Sequence, residues 1–340
     1  MQFKAVIKWL AFGLAFLLVA CSQQPAEVKL AGRTMGTGYH ISYYDGGGLP
    51  APQDVKAAID ARLVQVNNQM SHYQPDSELS RFNKSSSTQP FPVSPATAKV
   101  IGEALRIGKL SEGAYDVTIG PVVNLWSFGP EKRPERVPTD AELAQRMSEV
   151  GQDKLHVVGN TLVKDRGDIN VNLSSIAKGY GVDVVGEYLE SLGIANYVVE
   201  IGGEVRVHGS KPKGEAWRIA IEKPDVNGEA VQEVITPGNM AVATSGDYRN
   251  YFEENGVRYS HLIDARTGKP IQNRLVSVTV VAPTCMVADG FSTAVSVLGP
   301  EKGLELAKDQ GLAVFLVVKT DSGFEERYTD NFKPYLVSRH

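Results

Sequence analysis

The chain has 340 residues, 42% hydrophobic and 22% charged, with a formal net charge of −4. That is ordinary globular composition, long enough for one large domain or two smaller ones. The slight negative balance and the lack of any long Lys/Arg run exclude nucleic acid as an expected partner.

In chain order, residues 1–20 read as a signal peptide. Lys4 and Lys8 precede an apolar or small-residue run from Trp9 to Ala20, which is shorter than the roughly 20 residues a spanning helix needs. The run ends in Leu18-Val19-Ala20-Cys21, the pattern of a bacterial lipobox, in which Cys21 is lipidated and becomes the mature N-terminus. A plain signal peptide or an uncleaved anchor is the alternative. Residues 21–30 are then a lipidated polar tether and 31–340 the functional domain. With Cys21 lipidated, only Cys285 remains, so no intramolecular disulfide is expected. Having no nearby His, Cys285 reads as a small buried hydrophobe rather than a nucleophile.

Helical periodicity predicts a helix over Asp54–Gln69, with Val55, Ala58, Ile59, Leu63 and Val66 on one face. Ser94-Pro95 opens a second helix running to Leu110, and Thr139-Asp140-Ala141-Glu142 is a capping-box start for a third. A fourth follows Asn172-Leu173-Ser174-Ser175 and ends at Leu192, closing on Gly193. The charged, proline-rich stretch Gly129–Pro138 reads as a loop. Gly159-Asn160 joins Leu155–Val158 to Thr161–Lys164 as a hairpin. Further strands are expected at Tyr197–Glu200, Val205–His208, Trp217–Ile221, Val276–Val281 and Ala313–Val318. Helices at Met286–Leu298 and Glu301–Lys308 are placed before the final strand. Without a regular βαβα rhythm, the fold class is α+β: mixed sheets with packed helices.

Two segments carry chemistry. In Asp168-Ile-Asn-Val-Asn-Leu-Ser-Ser-Ile-Ala-Lys-Gly-Tyr180, a strand-like run feeds hydroxyl residues at a helix start, with Lys178 one turn in. Free N–H groups and the helix dipole attract phosphate there, and the lysine adds a full charge. The bland alternative is a Ser-capped helix with a solvated lysine. Neither a Gly-x-Gly-x-x-Gly nor a Walker lysine followed by Ser or Thr is present here, which disfavours Rossmann and P-loop readings. In the second segment, Met286–Leu298, Asp289 and Thr293 lie four apart on one face of an otherwise apolar helix. Carboxylate and hydroxyl oxygens suit a hard cation such as Mg²⁺, whose shell water and phosphate would complete. An exposed Asp favoured by the helix dipole is the alternative.

Six turn motifs each carry a hydroxyl, amide or charged group and together could line one cleft. They are Arg33–Thr37, Met70–Tyr73, Gly113–Gly120, Glu200–Glu204, Ala243–Arg249 and His261–Gly268. His261 is a candidate general base, since imidazole titrates near neutral pH; a purely structural His is the other reading.

In this order the motifs resemble the ApbE family of FAD:protein FMN transferases, from about Arg33 to beyond Leu298. The likeness rests on Met35-Gly-Thr37, Met70-Ser-x-Tyr73, Tyr115-Asp-Val-Thr-Ile-Gly-Pro-Val-Val-Asn-Leu-Trp126 and Ser174-Ser-Ile-Ala-Lys-Gly-Tyr180. Val199-Glu-Ile-Gly-Gly-Glu204, Ala243-Thr-Ser-Gly-Asp-Tyr248, His261-x-x-Asp-x-Arg-Thr-Gly268 and Ala288-Asp-Gly-x-x-Thr293 complete it.

The resemblance implies an ApbE-like fold with FAD in a central cleft, contacted by Met35, Tyr73, Ala114, Tyr115, Asp116, Asn172, Lys178 and Ile263. It implies Mg²⁺ on Asp289, Thr293 and Ser175, the last through its backbone oxygen. Asn172 stands where the family often has Asp, an exchange that keeps hydrogen bonding but removes a charge. The implied activity transfers FMN from FAD to a Thr or Ser hydroxyl and releases AMP, with Lys178, Asp289 and His261 in catalytic roles. Implied acceptors are flavoprotein subunits of membrane redox complexes, of the sodium-pumping NADH:quinone reductase or Rnf type. The implied location is the periplasmic face of the bacterial envelope, at the inner membrane in preference to the outer. An FAD pyrophosphatase or a non-catalytic flavin carrier would use the same site differently.

Overall fold

The computed structural model describes residues 25–131, 133–222, 231–246 and 251–337. The signal peptide and Cys21 lie outside them, as does the end of the Ala243–Arg249 motif.

Eight strands form one antiparallel sheet in which spatial order follows chain order: β1 (Ala26–Thr34), β2 (Thr37–Asp45), β3 (Tyr197–Ile201), β4 (Glu204–His208), β5 (Ala241–Gly246), β6 (Leu275–Ala282), β7 (Ala313–Thr320) and β8 (Gly323–Tyr328). Between β2 and β3 come α1 (Pro52–Met70), α2 (Glu78–Lys84), α3 (Pro95–Leu110), α4 (Gly120–Leu125), α5 (Asp140–Met147) and α6 (Ala177–Ser191); between β6 and β7 come α7 (Cys285–Leu298) and α8 (Pro300–Asp309). The expected α+β class is the one observed.

Local chemistry sets the boundaries. Ser94 caps α3 by accepting from the Thr97 N–H, and Thr139 and Glu142 form the reciprocal capping box of α5. The hairpins β1–β2 and β3–β4 turn on Met35-Gly36 and Gly202-Gly203, both pairs at positive φ, as tight two-residue turns require. Strands β6 and β7 are buried along almost their whole length, which explains their continuous apolar runs. Helices α3 and α7 cover one face through Ile101, Ala104, Ile107, Phe291 and Val295. On the other face, Trp217, Ile221, Ile235 and Phe332 pack against Val242, Phe315 and Val317.

The structure corrects several expectations. Ala26–Leu30, placed in the tether, begin β1, because Val28 and Leu30 pack against the cluster formed by α1, α6 and β2. Ala243–Gly246, taken for a turn, belong to β5, whose Ala241 and Ala243 are buried while Thr244–Gly246 are half-buried beside β6. The helical pair α7–α8 precedes two strands, not one, since β8 follows as an edge strand. The short helices α2 and α4 fall below the length at which periodicity shows.

Candidate active site

At the sheet end where β5 finishes and β4 begins, a cleft of about 670 Å³ opens against the start of α6 and the middle of α7. Five of the six turn motifs reach it, through Tyr73, Ala114–Asp116, Gly202–Glu204, Thr244–Gly246 and His261–Ile263. Asn172, Ser175, Lys178, Asp289 and Thr293 line it too. The sixth motif does not. Met35 turns its thioether toward Gly181 of α6 and packs into the core, so it is outside the cleft lining.

The start of α6 differs from expectation. Its N-cap is Ile176, without a side-chain cap, and Lys178 is the second helical residue rather than one turn in. The reason is a preceding turn: Asn172 Oδ1 accepts from the Ser174 N–H at 2.9 Å, and the Leu173 carbonyl accepts from the Ile176 and Ala177 N–H groups. Asn172 shapes this turn with an amide oxygen, a task for which no charge is needed. It also borders a smaller recess of about 150 Å³ that includes His72. Ser175 Oγ donates to the Tyr115 hydroxyl at 3.0 Å, tying this turn to the loop after α3.

Lys178 is not a solvated lysine. Its Nζ stands 3.0 Å from Glu204 Oε1 and 3.8 Å from Asp289 Oδ1. Burial alone would lower the ammonium pKa, but the charges of Asp289 and Glu204 outweigh it and keep Lys178 protonated. Asp289 is 3% exposed, so the surface alternative fails; its Oδ2 accepts from the Gly179 N–H at 2.9 Å. Among the described residues, Glu204 Oε2 is buried without a hydrogen-bond partner. Burial raises the Glu204 pKa to about 8 even beside the Lys178 ammonium, so the two carboxylates share one ammonium with a proton retained on Glu204 near neutral pH, which a bound cation would displace.

The donor chemistry fits Mg²⁺. Asp289, Thr293 and the Ser175 carbonyl offer only oxygen. Among the described residues no group of three or more His, Cys, Asp or Glu is placed to hold a metal ion. Thr293 Oγ1 lies 3.4 Å from Ser245 Oγ, which links α7 to the end of β5.

Other residues take more local parts. Asp116 directs Oδ1 to the N–H and hydroxyl of Thr118 and Oδ2 to the Gln152 N–H, so its carboxylate folds the loop that borders the cleft. Burial raises its pKa against those hydrogen bonds. Burial likewise pushes up the Tyr115 hydroxyl. His261 lies in the cleft wall with its ring edge-on to Phe128, 6.3 Å between centroids. Asp264, three residues on, is engaged by the Arg266 guanidinium at 2.7 Å. Cys285 is fully buried, and burial pushes its thiol pKa well up, as expected of an inert core cysteine. Sequence reasoning gave Glu204 no role; the available signal was a carboxylate directly after the Gly202-Gly203 turn, at the first position of strand β4.

An ammonium at a helix start, beside oxygen donors for a hard cation in a roomy cleft, defines a phosphate-handling enzyme. The ApbE family profile matches residues 35–316. An FAD:protein FMN transferase of Vibrio cholerae is 54% identical over 329 residues, covering 96% of this chain and 98% of that one. The solved flavin transferase ApbE from Vibrio cholerae shares 53% identity at a TM-score of 0.87, covering 92% of this chain and 100% of its own. The apo flavinyl transferase ApbE of Pseudomonas stutzeri shares 38% identity, also at 0.87, over 94% and 100%. The chain belongs to the ApbE family.

Proposed function

We infer that this chain is an FAD:protein FMN transferase, moving FMN from FAD onto acceptor proteins. The observation that carries the reading is its near full-length likeness to relatives of that name. The cleft chemistry supports the finer steps. FAD lies in the cleft with Tyr73 as an aromatic neighbour, beside the Ala114–Asp116 loop, Asn172 and Ile263. A Thr or Ser hydroxyl of the acceptor attacks the flavin-side phosphorus, forming a new P–O bond. The bond from that phosphorus to the bridging oxygen breaks, and AMP leaves with that oxygen. His261 takes the hydroxyl proton. Lys178, fixed at the start of α6, stabilises charge on the departing phosphate. Asp289, Thr293 and the Ser175 carbonyl would hold Mg²⁺, which supplies charge neutralisation on the pyrophosphate oxygens.

We further propose that the protein is lipid-anchored through Cys21 and faces the periplasm, at the inner membrane in preference to the outer. The support is the apolar run ending in Leu18-Val19-Ala20-Cys21. There it would meet flavoprotein subunits of sodium-pumping NADH:quinone reductase or Rnf-type complexes.

The test combines purified protein, FAD, Mg²⁺ and a candidate acceptor domain. Flavin fluorescence on the denatured acceptor band, lost with EDTA or Asp289→Ala, is the expected result. Steady AMP release with a dark acceptor would replace the transferase with a pyrophosphatase.

A further inference from the structure

Helices α6 and α7 meet more closely than ordinary side chains allow. A Cβ on Gly179 would lie 2.3 Å from the Cys285 carbonyl oxygen and 2.8 Å from Asp289 Cβ. At this contact each helix gives a carboxylate to the other's first turn. Asp289 of α7 accepts from the Gly179 N–H of α6. Asp183 of α6 accepts from two amides of α7, Cys285 through Oδ1 and Met286 through Oδ2, both at 2.9 Å. In both helices the carboxylate sits four residues beyond an amide that the partner helix binds. The first-turn N–H groups of a helix have no partner within it; Thr284 caps the Val287 N–H of α7 at 3.4 Å, and Asp183 satisfies the two before it, so Asp183 helps fix where α7 begins.

Asp183 is itself held. Arg206 of β4 donates to its Oδ1 at 3.0 Å, and the same guanidinium reaches the Tyr197 hydroxyl at 3.1 Å and Glu190 at 2.9 Å. Asp183 is buried and is not part of the cleft lining, so the proposed chemistry gives it no direct task.

We propose that Asp183 is a positioning residue for the Mg²⁺ site, acting through the first turn of α7 to set Asp289 and Thr293 against Lys178. This rests on the metal-site reading given above. Mg²⁺ demands near-ideal octahedral geometry at short distances, so small displacements of two ligands on one helix weaken binding. Supporting residues behind metal ligands commonly change affinity by about 10–100-fold when altered.

Asp183→Asn keeps the shape but replaces one acceptor with an amide NH₂, which would confront a backbone donor with a donor. It also removes the charge facing Arg206. The experiment measures Mn²⁺ binding by EPR, with Mg²⁺ competition, on the full-length protein and on the Asp183→Asn, Tyr197→Phe and Asp289→Ala variants. All measurements are made well below each melting temperature. The expected result is about 10-fold or more weaker binding for Asp183→Asn, with the same fold by circular dichroism. Tyr197→Phe removes the hydroxyl that accepts from Arg206 and donates to Glu190 at 2.6 Å, so it loosens Arg206 without touching Asp183 and should weaken binding less and in the same direction. It stands in for Asp183→Asn should that variant not fold.

Binding by Asp183→Asn, or by Tyr197→Phe in its place, within twofold of wild type would overturn the proposal, whatever the change in melting temperature. A wild type whose ion is unaffected by Asp289→Ala would overturn the metal-site reading first and this proposal with it. The two failures are therefore distinguishable.

Discussion

Gly179→Ala isolates the helix contact that builds the site. The added methyl would stand 2.3 Å from the Cys285 carbonyl oxygen, where a carbon–oxygen contact normally settles at about 3.3 Å. Both obstacles are on α7, its backbone and a β-carbon, so no flexible side-chain end can yield and the helices must part by about 1 Å. Overpacking of this kind costs about 1–3 kcal/mol, offset by roughly 0.5–1 kcal/mol from replacing a helical glycine, leaving a net loss of up to about 2.5 kcal/mol. The functional effect should be larger. The 2.9 Å bond from the Gly179 N–H to Asp289 would stretch beyond hydrogen-bonding range, and a misplacement near 1 Å can lower turnover by about 100-fold. Urea melts give the stability term, and AMP release with acceptor fluorescence gives the rate. Gly181→Ala is the control, because its nearest neighbour is the flexible end of Met35. Wild-type stability and turnover within twofold for Gly179→Ala, or equal effects of both variants, would refute the reasoning.

Two further predictions concern buried charge. Lys178→Met leaves Asp289 and Glu204 facing each other without their ammonium, so stability at pH 7 should fall by about 3 kcal/mol; Mg²⁺ should raise the melting temperature more in this variant than in wild type, and an equal rise would contradict the shared-charge account. Among the described residues, the buried Nε2 of His72 has no hydrogen-bond partner, and burial pushes its pKa down to about 4. The unfolded chain therefore takes the proton first as pH falls, so stability should hold above about pH 6.5 and decline toward pH 4, by up to about 3 kcal/mol. His72→Gln should flatten that decline, as followed by urea melts across the window; an unchanged slope would assign the decline to other groups.

What the sequence disclosed depended on where each signal resides. The caps of α3 and α5 and the hairpin at Gly159-Asn160 are local, and they appear where their residues place them. Strand β5 was illegible because its small residues reflect crowding by β6 and α7, a property of the partners. The edge strand β1 is largely exposed and shows only a faint alternation. In the site, Lys178, Asp289 and Thr293 could be picked out by residue type and spacing. Asp183 could not, since its meaning lies in amides 102 and 103 residues away. Glu204 gained significance only beside Lys178.

Helix α6 carries glycines at 179, 181 and 186, facing α7, Met35 and the Arg206–Tyr197 pair in turn. Each weakens the helix by roughly 0.5–1 kcal/mol relative to alanine, so as an isolated segment α6 would be mostly coil. Its amides are therefore expected to exchange with solvent only when the whole molecule opens, and no fragment should retain half a working site. Lys178 rides on a helix that exists only in the finished protein, which makes competence for the reaction a direct report of complete folding.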